Sequence, residues 1–225
     1  MSEFLAYLQL GFDHITDSNG YDHILFIMAL CTIYTLVEWK KVLILVTAFT
    51  IGHSVTLALA TLGMVTIRPD VIELLIPVTI LITAFINLFH KVPKSTYRPQ
   101  ENSYSSRFPL ALFFGLVHGL GFSNYLRALL GKEASILNPL FGFNVGLEIG
   151  QLIIVFIFLT IAFILTELLK VSKLNWNLIL SGIIIGMAFS LILNNDLFKS
   201  IMDQPLSMNT TVPTAGITEL NQTLR

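Results

Sequence analysis

Long apolar runs separated by short polar intervals dominate the chain, and six of them approach the roughly 20 residues needed to cross a hydrocarbon core of about 30 Å. They cover residues 21–37, 42–62, 71–89, 109–126, 140–165 and 178–193. Backbone amides must pair internally in lipid, and the weak ten-residue alternation of a membrane barrel is missing, so these runs predict helices. The expected fold is all-α: a polytopic membrane bundle of six transmembrane helices. Residues 4–12 form a shorter apolar stretch that predicts a short interfacial amino-terminal helix along the outer surface. This divides the chain into an interfacial segment 1–20, a six-helix domain 21–195 and a polar tail 196–225. Residues 91–107, with Pro93 and Pro99, read as a polar inner loop. From 203 onward the chain is rich in Thr, Asn and Pro without periodic apolar positions, which predicts disorder.

Composition sharpens that reading. The 225 residues are 54% hydrophobic and 12% charged, with a mean hydropathy of +0.77, against roughly 45–50% and 25% in soluble domains. A water-soluble enzyme is thereby excluded, and a net charge of −1 leaves no basic excess to hold nucleic acid. Cys31 stands alone, which rules out internal disulfides and cysteine-based zinc or iron–sulfur sites. The first basic residue is Lys40, so no cleavable signal peptide is expected and the first span should direct insertion. Lys40, Lys41, Lys91, Lys94, Arg98, Arg107, Lys170 and Lys173 fall in one set of alternate loops. The other set holds Arg68, Arg127, Lys132, Lys199 and Arg225. Because cytoplasmic loops retain positive charge, both termini are expected outside.

Ionisable groups within such spans need a compensating role, since one at a helix centre costs on the order of 2.5–3.5 kcal/mol. The first cluster is His14, Asp17, Asp22 and His23, with Asn19 and Gly20 breaking any helix between its halves. Imidazole with carboxylate suits a borderline divalent ion such as nickel or zinc, and a neighbouring carboxylate would fix the imidazole tautomer. The bland alternative is interfacial polarity, with Asp22 as a first-turn helix charge. His53 falls near the centre of the second span, beside hydroxyls at Thr47, Thr50, Ser54 and Thr61; His118 falls near the centre of the fourth, between Gly115 and Gly119. Those hydroxyls and glycines are explained by packing, whereas the histidines indicate a site. In the fifth span Asn144, Glu148 and Gln151 make a polar stripe, with Gly142, Gly146 and Gly150 on the same helix. Glu148 reads as a ligand, a proton carrier or a hydrogen-bonded neutral acid. Thr79, Thr83 and Asn87 make a weaker stripe read as packing, with Pro77 bending the third span. By position alone His23 lies at the outer rim, Glu148 several residues in, and His53 and His118 near mid-depth; His90 reads as interfacial.

These residues resemble a family. His14 with Asp22-His23, the stretch Thr47 to Leu57 around Gly52-His53-Ser54, Gly115 to Phe122 around His118-Gly119, and Phe143 to Gln151 around Asn144 and Glu148 together look like the HupE/UreJ proteins, and more closely their second branch. The resemblance runs from about residue 11 to 190. It implies a multi-pass protein of the bacterial cytoplasmic membrane that handles nickel or cobalt. The permease branch has two histidines and a glutamate in the fourth span; here Phe114 and Gly121 occupy two of those positions and only His118 carries over.

Two functions are compatible with this pattern. In the first, a divalent transition metal is bound and transported, with His14, Asp22, His23, His53, His118 and Glu148 as ligands and Asp17, Ser54, Asn144 and Gln151 in support. Mixed nitrogen and oxygen ligands without thiolate bind weakly enough to release. The second is an intramembrane zinc-dependent hydrolase, in which a metal-bound water with pKa lowered toward ~7 is assisted by Ser54 and by Glu148 or Asp22. Expected partners are the lipid bilayer and the metal ion, with a second copy of the chain or accessory metal-handling proteins left open.

Overall fold

The apolar runs fold as helices throughout. They are α1 (Glu3–Thr16), α2 (Asp22–Cys31), a 3-10 turn (Leu36–Glu38), α3 (Trp39–Thr61), α4 (Pro69–Leu88), α5 (Ser103–Leu130), α6 (Leu137–Phe163) continued by a π-turn (Ile164–Leu168), α7 (Lys173–Asn194) and α8 (Asp196–Met202). The structure, a computed structural model, describes residues 3–17, 20–90, 103–130 and 136–203, and no strand occurs among them. The polar loop from 91 to 102 and the tail beyond 203, expected to be disordered, lie outside the described residues.

Among the described residues, five segments are long and apolar enough to cross a membrane: Leu36–Thr61, Pro69–Leu88, Arg107–Leu130, Leu137–Leu168 and Lys173–Asn194. The expected first span differs. Its helix is confined to the 10 residues of α2, about 15 Å at 1.5 Å per residue, which is half of a bilayer core. The chain leaves α2 at Thr32, and a capping box between Thr35 and Glu38 starts the 3-10 turn that leads into α3. An apolar run therefore conceals a helix end that rests on Thr32, Thr35 and the following Glu38. The amino-terminal helix exists, but it packs lengthwise against α6 rather than standing as a separate surface segment.

Two helix pairs run parallel at the closest approach their backbones permit. Along α3 and α5, a Cβ added at Gly52 would collide with the Leu112 carbonyl, at Gly115 with that of Phe49, and at Gly119 with that of His53. Along α1 and α6, side chains at Gly11, Gly146 and Gly150 would strike Phe143, Leu8 and Ile15. Small residues of this kind let dispersion contacts hold helices together where lipid supplies no hydrophobic drive between them. These directions define two ends of the bundle. At the near end α1 and α6 begin and α3 and α5 finish; α3 stops there at Gly63, whose φ of 75° suits a residue without a side chain. At the far end α2, α4 and α6 finish.

A buried polar network ties the far end. Arg107 Nη1 donates to Asn87 Oδ1 at 2.8 Å, and Asn87 Nδ2 donates to the Ala29 carbonyl at 2.7 Å. Asn177 Nδ2 donates to the Asn87 carbonyl at 2.7 Å, and Ser181 donates to Asn177 Oδ1 at 3.2 Å. Asn87 thus joins α2, α4, α5 and α7 and is fully buried. Thr79 and Thr83 bond carbonyls of their own helix, in keeping with a packing role.

Gly115→Leu should destabilise the detergent-solubilised protein by about 3 kcal/mol or more, because backbone rather than a flexible side chain blocks the new group. Gly186→Leu, with nothing within 4 Å of its Cβ position, should leave the thermal unfolding midpoint unchanged. Asn87→Leu should cost about 3 kcal/mol by stranding the buried Arg107 guanidinium and the Ala29 carbonyl, while the bond from Asn177 to the residue 87 backbone carbonyl remains. Adding Arg107→Leu should cost less than the sum of the two single changes in the same unfolding assay.

Candidate metal centre

Four helices deliver an imidazole to one place in the bundle interior. His14 comes from the last turn of α1 and His23 from the first turn of α2, on either side of the break between those helices. His53 comes from α3 and His118 from α5, at the level where Gly119 brings the two backbones together. Ring centroids lie 4.7 Å apart for His14 and His23, 6.1 Å for His14 and His53, 6.4 Å for His23 and His53, and 5.3 Å for His23 and His118. One nitrogen from each of His14, His23 and His53 falls within 4.8 Å of the others. A metal with bonds of about 2.0–2.1 Å to tetrahedral nitrogens needs about 3.3 Å between them. A small inward movement of the rings closes that difference.

Hydrogen bonds leave each ring with a nitrogen to spare. His23 Nδ1 lies 3.0 Å from Asp22 Oδ1, a carboxylate that can only accept, so Nδ1 carries the proton and Nε2 keeps its lone pair. His118 Nδ1 meets the Phe114 carbonyl at 2.9 Å with the same result. The Nε2 atoms of His14, His23 and His118 and both nitrogens of His53 are buried without hydrogen-bond partners. Orphaned lone pairs in an apolar interior are costly, and an imidazole held through one nitrogen while presenting the other is how proteins orient metal ligands. The residues fit a divalent ion of borderline softness.

Access to the cluster is one-sided. A recess of about 480 Å³ lined by Leu10, Asp13, His14, Thr16, Asp17, Phe122 and Tyr125 opens beside the last turns of α1. Phe122 and Phe143 flank His14, with centroids 4.1 and 5.6 Å from its ring. On the other side Phe26, Phe49 and Phe114, each at most 2% exposed, form a contiguous aromatic layer. Phe26 and Phe49 lie 5.3 and 5.1 Å from His118 and 4.8 Å from each other.

The remaining expected site residues do not join the imidazoles. Thr47 donates to Glu148 Oε1 at 2.8 Å, placing the carboxylate toward the far end of α3 from His53. Thr50 donates to Gln151 Oε1 at 2.7 Å, and Asn144 Nδ2 donates to the Leu140 carbonyl. Ser54 turns its hydroxyl to the Thr50 carbonyl of its own helix. The depth order expected from span position is therefore corrected. His23, only 6% exposed, is a member of the central cluster rather than the rim, and Glu148 lies beyond the cluster instead of before it. Asp17 lines the recess. His90, past the end of α4, has its pKa lowered by burial and then by the Arg107 cation. The Arg107–Asn87–Asn177 network has no counterpart in the sequence reading, where Arg107 counted as a loop charge and Asn87 as packing; a basic residue adjoining an apolar run was the available signal.

No curated protein and no solved structure matches the chain. Residues 1–195 match the family described as HupE / UreJ protein, a span that contains all four clustered histidines and every long apolar helix. The chain belongs to the HupE/UreJ family, integral membrane proteins linked to nickel and cobalt handling.

Proposed function

We propose that this protein carries a divalent transition-metal ion, nickel or cobalt, across the bacterial cytoplasmic membrane, taking it up from the outer face at the near end. The observation that carries this reading is the convergence of four imidazoles with free, buried nitrogens at the inner limit of an acid-lined recess. Asp13 and Asp17 raise the local concentration of cations at the mouth. His14, at the recess, passes the ion to His23 and His53, with His118 adjacent and Asp22 orienting His23. Nitrogen ligands without thiolate keep affinity low enough for release.

In this reading α1 and α2 are the two halves of one discontinuous crossing. Fourteen and ten residues give about 21 and 15 Å of helix, together enough for a core of about 30 Å. The break between them puts His14 and His23 on facing helix ends at mid-depth, as discontinuous helices do in transporters. Six crossings then follow, with both termini outside. The hydrolase alternative has less support, because Ser54 and Glu148 are engaged away from the imidazoles.

Elemental analysis of purified protein should find about one nickel or cobalt per chain after loading, and His23→Ala and His53→Ala should each reduce it at least tenfold. Asp22→Asn should weaken metal affinity by about 10–100-fold, the usual effect of removing the group that orients a ligating histidine. Retention of wild-type metal by both histidine variants would remove the ligand assignment. Vesicles holding pure protein and an internal metal-sensitive dye should take up nickel or cobalt, and His53→Ala vesicles should not; bound metal without uptake would turn the assignment from transport to catalysis.

A further inference from the structure

A second set of polar atoms on α6 stands apart from the imidazoles. Asn144 and Glu148 are one helical turn apart and share a face. Asn144 Nδ2 is committed to the Leu140 carbonyl at 2.8 Å, which turns Oδ1 away from the start of the helix. Thr47 Oγ1 is committed to Glu148 Oε1 at 2.8 Å. What remains is Asn144 Oδ1 and Glu148 Oε2, both buried and both without a hydrogen-bond partner, with the equally unpartnered Nε2 of Gln151 one turn further along the stripe as the one neutral donor. Two unpaired acceptors on neighbouring turns of an apolar helix disfavour one another, and an amide or hydroxyl elsewhere cannot offset a desolvated carboxylate. A positive charge shared between them satisfies both.

The atoms also specify the kind of charge. Every available donor here is oxygen: carboxylate, amide carbonyl and the Thr47 hydroxyl. Oxygen-only sets favour hard cations over the borderline metals that imidazole selects. A single carboxylate matches one elementary charge, so a monovalent cation leaves this oxygen set neutral. We propose that Asn144, Glu148 and Thr47 form a second cation site, for one monovalent hard cation, either a sodium ion or a proton. The site does not depend on the transport reading above. Charged and titratable groups on the elements packed against α6 are Glu3, Tyr7, Asp13 and His14 on α1, Asp22, His23 and Cys31 on α2, Glu38 on the 3-10 turn, Lys40, Lys41 and His53 on α3, and Glu167 on the π-turn. None of them hydrogen-bonds Glu148 Oε2.

The test is infrared difference spectroscopy of the purified full-length protein, with one arm exchanging choline chloride for sodium chloride at fixed pH and another stepping the pH in choline chloride. A carboxyl band change that Glu148→Gln abolishes and His53→Ala preserves is expected in one arm, and the arm identifies the ion. Elemental analysis should show Glu148→Gln retaining bound nickel within about twofold of wild type. Asn144→Ala, which keeps the acid, should weaken the response to the same ion at least tenfold. No Glu148-dependent band in either arm would overturn the proposal, as would loss of nickel from Glu148→Gln equal to that from His53→Ala. If vesicles move no metal while the Glu148-dependent band persists, the transport reading fails and the cation site stands.

Discussion

Imidazoles from four helices can meet inside an apolar bundle only where the backbones that carry them approach to direct contact. That approach is supplied by glycine on both sides of the cluster. Gly52, Gly115 and Gly119 bring α3 and α5 together so that His53 and His118 occupy one level, and Gly142, Gly146 and Gly150 seat α1 against α6 so that His14 reaches the same level. A side chain at any of the tightest positions separates the pair by about a methyl group or more, and ligand distances scale with that separation. Packing and ligand geometry are thus a single requirement in this molecule.

The second constraint is that polar atoms withdrawn from water must be accounted for one by one. At the far end Asn87 uses its amide nitrogen, its amide oxygen and its carbonyl to satisfy three other elements, and Trp176 Nε1 beside that network is buried without a partner. In the centre many are left over: His14, His23, His53 and His118 each keep a free nitrogen, Asn144 and Glu148 each keep a free oxygen, and Gln151 keeps a free amide nitrogen. The contrast separates a structural network from groups with outstanding chemistry. It also divides the latter by donor type into a nitrogen set and an oxygen set on different faces.

Much of this was legible in the residues. A histidine in mid-span announces itself because nothing else in an apolar helix explains it, and His53, His118 and the His14–Asp22–His23 cluster were found that way. The glycine positions were legible as close packing, but not which helix each would meet. Periodicity could not reveal that the run from 21 to 37 contains a helix end, because lipid-facing and core-facing residues are equally apolar and the break rests on Thr32, Thr35 and Glu38. Depth read along a single span misplaced His23 and Glu148, since helices interrupted or offset along their axes do not share a common scale. The pairing of Asn87 and Arg107 was legible only as a basic residue adjoining an apolar run: it joins α4 to α5 across a polar loop, and sequence position does not name the partner.

The rings of Phe26, Phe49 and Phe114 set where an electrical field would act. With a recess beside His14 on one side and three buried rings on the other, a membrane voltage would fall chiefly across the part of the bundle beyond the rings. Each elementary charge traversing that layer is worth about 2.3 kcal/mol per 100 mV, and a divalent ion feels twice that force. On the transport proposal, with the recess facing outward, loading of the imidazoles would be nearly insensitive to potential, while departure from them would be strongly accelerated by an interior-negative one.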